Sequence, residues 1–250
     1  VHHSIDVWKN HKDEILMVGM HESEEAEKDI PTITVNGIKF AVLNYTYGLN
    51  GYELPYGEEY LITIMDDSSE DFIADQVKRA SETADFVIVC PHWGEENMVG
   101  APNDFQKHWA QLFTEAGADL ILGTHPHVIQ NIEWITSENG NKALCYYSLG
   151  NFVSNQQYTD TVLGGMAYVE IKKEDGQTVI DNNSVIPVVT HNDKTKDPVV
   201  IQTYYLADYT QELADVHDTL LSGFNDDFSL TNLQQKARNV FGNQIRDRIR

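Results

Sequence analysis

A chain of 250 residues is long enough to bury one sizeable α/β core. Its 39 acidic against 17 basic residues give a formal charge of −22, which excludes nucleic acid and anionic lipid as natural partners. An anionic polymer would be repelled as well unless bound cations changed the local sign, and no apolar run is long enough to span a membrane, so no membrane contact is expected of this chain itself.

The first elements are weakly marked. Residues 4–12 read as the end of a helix with Ile5 and Trp8 inward, leading into a strand at 15–19. The acidic run 22–29 reads as a solvated face or short helix. Residues 32–35 and 38–43 flank Asn36-Gly37, the strongest short hairpin signal available. The following loop, Asn44-Tyr45-Thr46-Tyr47-Gly48-Leu49-Asn50-Gly51, leaves a strand end and suits either ligand contacts or a plain connection. Residues 61–65 form another apolar strand. Asp67 or Ser68 then caps a helix whose face is Phe72, Ile73, Val77 and Ala80.

Residues 86–90 and 119–122 are short apolar runs of the kind that make fully buried parallel strands. Between them Phe105, Trp109, Leu112, Phe113 and Ala116 recur at helical spacing, with Pro102 near the start and Gly117 just past the end. This is one right-handed βαβ unit, and ligands of open α/β sheets sit at the carboxyl ends of such strands. His92 follows the first strand; His125 and His127 follow the second. Pro126 favours an extended His125, and in extended backbone residues i and i+2 point to the same side. The three imidazoles are therefore expected to face one point. Such a set suits a divalent cation (zinc, iron, nickel or copper, with manganese needing carboxylate help), and a hydrogen-bonded structural cluster is the alternative. Glu95 is the candidate general base. Trp93, Tyr45 and Asn151 are the expected substrate contacts, Asn151 also serving as a possible turn residue.

Residues 128–135 and 143–149 read as strands joined by a turn at 138–141. A hairpin over 162–172 and 178–189 turns at Glu174-Asp175-Gly176, and 199–206 is the last strand. Residues 210–221 and 231–249 read as helices, the second opening on Thr231 and Gln234 as a capping box, with Leu233, Ala237, Val240, Phe241 and Ile245 as its apolar stripe. The division expected is a main domain over 1–206 and a helical C-terminal appendage over 207–250. Cys90 and Cys145 lie in strand-like runs where reduced, buried thiols are the ordinary case, with a disulfide between them left open.

Taken together, Asn36-Gly37-Ile38-Lys39, Leu43-Asn44-Tyr45-Thr46, Pro91-His92-Trp93-Gly94-Glu95, Gly117-Ala118-Asp119, Gly123-Thr124-His125-Pro126-His127 and Tyr147-Ser148-Leu149-Gly150-Asn151-Phe152 resemble the CapA/PgsA capsule-synthesis family, over roughly residues 5–190. The resemblance implies an α/β fold, the metallophosphoesterase-like (calcineurin-like) sandwich of two mixed β-sheets flanked by helices. It implies divalent metal, Mn, Zn or Fe, with His92 matching the single-histidine motif and His125 and His127 the paired one. The superfamily's earlier aspartates and asparagine–histidine motif have no good match here. His2-His3-Ser4-Ile5-Asp6 resembles the latter only superficially, being too close to Gly19. The expectation is thus a fold lacking its N-terminal strands, and a binuclear centre only where those upstream ligands are present. The implied partners are poly-γ-glutamate or a phosphoester substrate and other capsule synthesis components, and the implied location is the extracellular face of the cytoplasmic membrane.

Overall fold

The computed structural model describes residues 1–222 and 227–249. After two short helices, α1 (His2–Lys9) and α2 (Glu24–Glu27), the chain enters β1 (Thr32–Val35) and β2 (Ile38–Thr46). The turn between the strands has positive φ at both Asn36 (51°) and Gly37 (79°), the left-handed pair that matches strand twist in a tight hairpin. Then come α3 (Glu70–Thr83), β3 (Phe86–His92), α4 (Asp104–Ala116), β4 (Leu120–Leu122), β5 (Ile132–Thr136) and β6 (Lys142–Tyr146). These strands form one six-stranded mixed sheet in the order β1-β2-β3-β4-β6-β5. Its four central strands are parallel and its two edges antiparallel.

The parallel strands read as unbroken apolar runs because both faces are covered. Ala41, Leu43, Val87, Val89, Ile121 and Cys145 point to α3 and α4. Ile38, Phe86, Leu120, Leu144 and Tyr146 point the other way, onto a three-stranded antiparallel sheet. That second sheet is β7 (Leu163–Glu174), β8 (Gln177–Asp193) and β9 (Val200–Tyr205), with Asp175 and Gly176 at positive φ in its hairpin turn. The two sheets flanked by helices are thus one mixed and one antiparallel. Cys90 and Cys145 are free thiols. No helix among the described residues is long and apolar enough to cross a membrane.

The helix that carries the chain between the two site-bearing strands is well defined at both ends. Asn103 and Gln106 form a capping box on α4, and Gly117 closes it at φ 106°. Such a cap contributes about 1 kcal/mol. It fixes where β4 begins, and so where His125 and His127 emerge.

Several expectations are corrected. Residues 15–19 form no strand, and 61–65 contribute only a bridge from Ile64 to Thr46. The strand expected from residue 128 starts at Ile132. Residues 210–221 split into α5 (Gln211–Asp215) and α6 (Asp218–Leu221), because His217 Nδ1 accepts from Thr219 N and starts a new helix. The last helix, α7 (Leu230–Phe241), is capped by Ser229 rather than Thr231 and stops at Gly242. Its Leu233, Ala237 and Phe241 are buried with Val185 and Val189 in the second core.

Candidate functional site

The tips of β2, β3 and β4 are laced together where the parallel sheet opens. Tyr47 N donates to His92 O (2.8 Å), Trp93 N to Thr124 O (3.0 Å), and Thr124 N to Pro91 O (3.0 Å). His92 is the last residue of β3, and the segment leaving β4 carries His125 and His127 back over it. The three imidazoles are neighbours without converging on a single point. The ring centroids of His92 and His125 are 4.7 Å apart, and those of His125 and His127 are 6.2 Å apart.

The route to this gathering is not the extended one the sequence suggests. His125 has φ 103° and His127 φ 61°, both in the left-handed region that side chains with a Cβ avoid. Such backbone costs on the order of 1–3 kcal/mol per residue and persists only when its surroundings hold it. Here the holding is visible. Gly123 clears the chain just past β6 only because it lacks a side chain, since a Cβ there would lie 2.1 Å from Tyr147 O. Beyond it, Asn97 N donates to Pro126 O (2.8 Å). The two histidines flanking Pro126 thus both sit on strained backbone, where the sequence suggests an extended one.

Each of two rings has a fixing partner. His127 Nδ1 lies 2.9 Å from Asn151 Oδ1, an oxygen that only accepts, so Nδ1 carries a proton and, in the neutral tautomer this bond selects, Nε2 is the ligand atom. The Asn151 amide nitrogen donates in turn to Thr161 O (2.8 Å), which settles its orientation. His92 Nδ1 sits 3.1 Å from Thr124 Oγ1. Burial first, and then the neighbouring imidazoles, hold the His92 pKa below the ordinary histidine value. Burial lowers that of His125 too, opposed by the charge of Glu96. Uncharged imidazoles are the form that binds metal.

Not every expected residue belongs to the site. Trp93 is fully buried, stacked between Phe113 and Tyr147, with its indole N–H donated to Tyr147 O (2.8 Å). Tyr45 is buried against Phe113, and its hydroxyl donates to Gln76 Oε1 (2.8 Å). Neither presents a surface to a substrate; both form the floor beneath the tips. Asn151 holds His127 rather than standing free. Glu95 is exposed, and Glu96 is the carboxylate whose charge reaches His125. The residue that was missed is Tyr47. Its ring lies 4.3 Å from that of His125 and 6.0 Å from that of His92, and its hydroxyl donates to Asn50 Oδ1 (2.8 Å). Strand register carries the signal, because Thr46 pairs with His92, so the next residue reaches the tip.

Whether these residues fit a metal has a divided answer. The donor type fits, with three imidazoles and at least one Nε2 free. The arrangement is not closed, since among the described residues no three His, Cys, Asp or Glu side chains already stand where one cation could be held.

The fold and the strand-tip cluster define an α/β sandwich with neighbouring histidines at the carboxyl ends of its parallel strands. The chain belongs to the bacterial capsule synthesis protein family PGA_cap, whose pattern matches residues 1–156. It is 33% identical over 182 residues to the PGA biosynthesis protein CapA of Bacillus subtilis, covering 71% of this chain and 46% of that protein. It is 30% identical over 175 residues to the capsule biosynthesis protein CapA of Bacillus anthracis, covering 68% and 39%. The chain therefore spans less than half the length of these curated relatives. Among solved structures it is similar to the NAD nucleotidase NadN of Haemophilus influenzae at 11% identity and TM-score 0.37, covering 90% of this chain and 44% of that one.

Proposed function

We propose that this chain serves capsule polymer biosynthesis as a metal-dependent phosphoester hydrolase, with His92, His125 and His127 holding a divalent cation, Mn, Zn or Fe. The observation that supports this reading is the nearness of three imidazoles at the strand ends, two of them on strained backbone and one of those oriented by an asparagine. A cation bound there would polarise a phosphoryl oxygen and lower the pKa of a bound water. The protein's own part is positional. Asn151 presents Nε2 of His127, Thr124 anchors His92, and Trp93 and Tyr45 keep water from beneath the site. Glu96 supplies negative charge on the open side, which favours a bound cation.

The substrate in this reading is a phosphoester; poly-γ-glutamate, whose links are amides, is the polymer the protein serves rather than the bond it cleaves. The place of work is the outer face of the cytoplasmic membrane, beside other capsule synthesis components. A second reading is supported by the open donor arrangement: a scaffold that binds the polymer and breaks no bond, metal counter-charges offsetting the repulsion that the charge of −22 would otherwise impose.

One experiment separates the two. The purified chain is loaded with Mn, Zn or Fe and assayed on a simple phosphoester, and polyglutamate retention is measured with and without metal. Metal-stimulated turnover that is lost in His125→Ala supports the hydrolase. Metal-dependent retention without turnover supports the scaffold, and neither result would reject both.

A further inference from the structure

We infer that His217 is an acid-released latch: its neutral ring clamps α6 onto β8, and a second proton on that ring frees α6 and, with it, the grip of Asp218 on Gln157. The latch does not depend on a metal at the strand tips. The ring is wholly buried, and both its nitrogens are committed to backbone groups. Nδ1 accepts from Thr219 N at 3.0 Å, so it carries no proton. Nε2 faces Thr190 O at 3.0 Å, an oxygen that only accepts, so the proton sits there. One tautomer of the uncharged ring satisfies both bonds. A proton added at Nδ1 would set two N–H groups against each other and remove the bond that starts α6.

The surroundings are poorly placed to hold a charged ring. His191 of β8 stands edge-on, 5.3 Å away between ring centroids, and a positive charge on it would add repulsion. Its own Nδ1 is paired with the Tyr209 hydroxyl, and Tyr204 of β9 packs against it. Phe228 covers the His217 ring at 4.6 Å. The carboxylates whose charge reaches the ring, Asp218 of α6 and Asp193 of β8, are engaged elsewhere. Asp218 takes Lys194 and Gln157, and Asp193 takes Thr195 and, at 4.0 Å, Lys196. Burial therefore wins and holds the His217 pKa below the ordinary histidine value, against the bond to Thr190 O.

Release would be local and would reach the candidate site. None of these groups belongs to the six-stranded sheet. Gln157, held by Asp218, follows Gln156, whose Oε1 accepts at 3.3 Å from the Asn151 amide that orients His127. A ring harder to charge in place than when free contributes its stability above pH 6.5 and loses it as pH falls from there toward the folded-state pKa. Within that window the open fraction of α6 should rise up to about tenfold per pH unit.

The test is an NMR titration of the full chain from about pH 7.5 to about pH 5. His217 should keep its Nε2–H form until the Thr219 and Leu220 amide signals and the Gln157 side-chain signal are lost together, with Val89 and Ile121 unmoved. His217→Asn, which keeps a capping oxygen for Thr219 N but does not titrate, should hold α6 across the range. Should that variant not fold, the wild-type titration decides alone. A His217 ring that charges while α6 stays in place would overturn the inference. So would loss of α6 and sheet signals at one pH, an α6 unchanged at the acid end, or unaltered acid loss in a folded His217→Asn.

Discussion

Replacing Asn151 with alanine removes four contacts at once. These are the oxygen facing His127 Nδ1 at 2.9 Å, and the donations to Thr161 O at 2.8 Å, His127 O at 3.3 Å and Gln156 Oε1 at 3.3 Å. Buried polar groups left without partners cost about 1–3 kcal/mol. Asn151 is only half-buried, so water can reach some of them, and about 1–2 kcal/mol is expected. The effect on function should be larger in kind. His127 loses the contact that fixes its protonated nitrogen, and loss of such outer support typically costs about 10–100-fold in metal affinity. Asn151→Asp is the informative partner. It keeps an acceptor for Nδ1–H but loses the donor to Thr161, so it should lose similar stability while retaining most of the metal affinity. Calorimetric titration with Zn and Mn, beside urea unfolding, reads both quantities. Equal loss of affinity in the two variants, or full affinity in Asn151→Ala despite lost stability, would refute the role given to Asn151.

Three further outcomes are expected. Trp93→Ala should cost about 3–5 kcal/mol in urea unfolding, as an emptied core site does, and Trp93→Phe less, about 1–3 kcal/mol for the lost donor to Tyr147 O. A cost under about 1 kcal/mol for the alanine variant would return Trp93 to the surface. Phe241→Ala should likewise cost about 3–5 kcal/mol if α7 belongs to the second core, and a value near zero would make the helix a true appendage. The third outcome concerns pH. Burial pushes the Asp119 carboxyl up from 3.8 to about 6, against the bond it accepts from Val87 N. A carboxyl harder to ionise folded than unfolded contributes its stability below 3.8 and loses it as pH rises through about 6. The loss is at most about 3 kcal/mol, and Asp119→Asn should remove that slope from stability measured between those pH values.

The sheet's central strands were legible because burial on both faces leaves continuous apolar runs, and the hairpins because Asn36-Gly37 and Asp175-Gly176 meet the backbone demand of their turns. Apolar residues 61–65 misled for a topological reason. Strand β2 already has β1 and β3 on its two sides, so a further segment can touch only its tip, at Thr46. Likewise, nothing local announces that His217 will restart a helix, since it does so through its own ring nitrogen. At the site, the positions of His92, His125 and His127 followed from strand ends, but the neighbouring aromatics needed parity. Trp93 shares a face with Val87 and Val89, and Tyr45 with Ala41 and Leu43, all of which lie under the helices. The strained backbone at His125 and His127 depends on contacts with Asn97 and β6, far apart in sequence, and no local pattern carries it.

The central claim is that the strand-tip histidines bind a divalent cation. X-ray absorption on the full chain titrated with zinc measures this directly. The account predicts a first shell containing imidazole nitrogens, with the bound metal lost in His92→Ala and in His125→Ala. A shell of oxygen donors alone, or zinc retained equally by both variants, would contradict it.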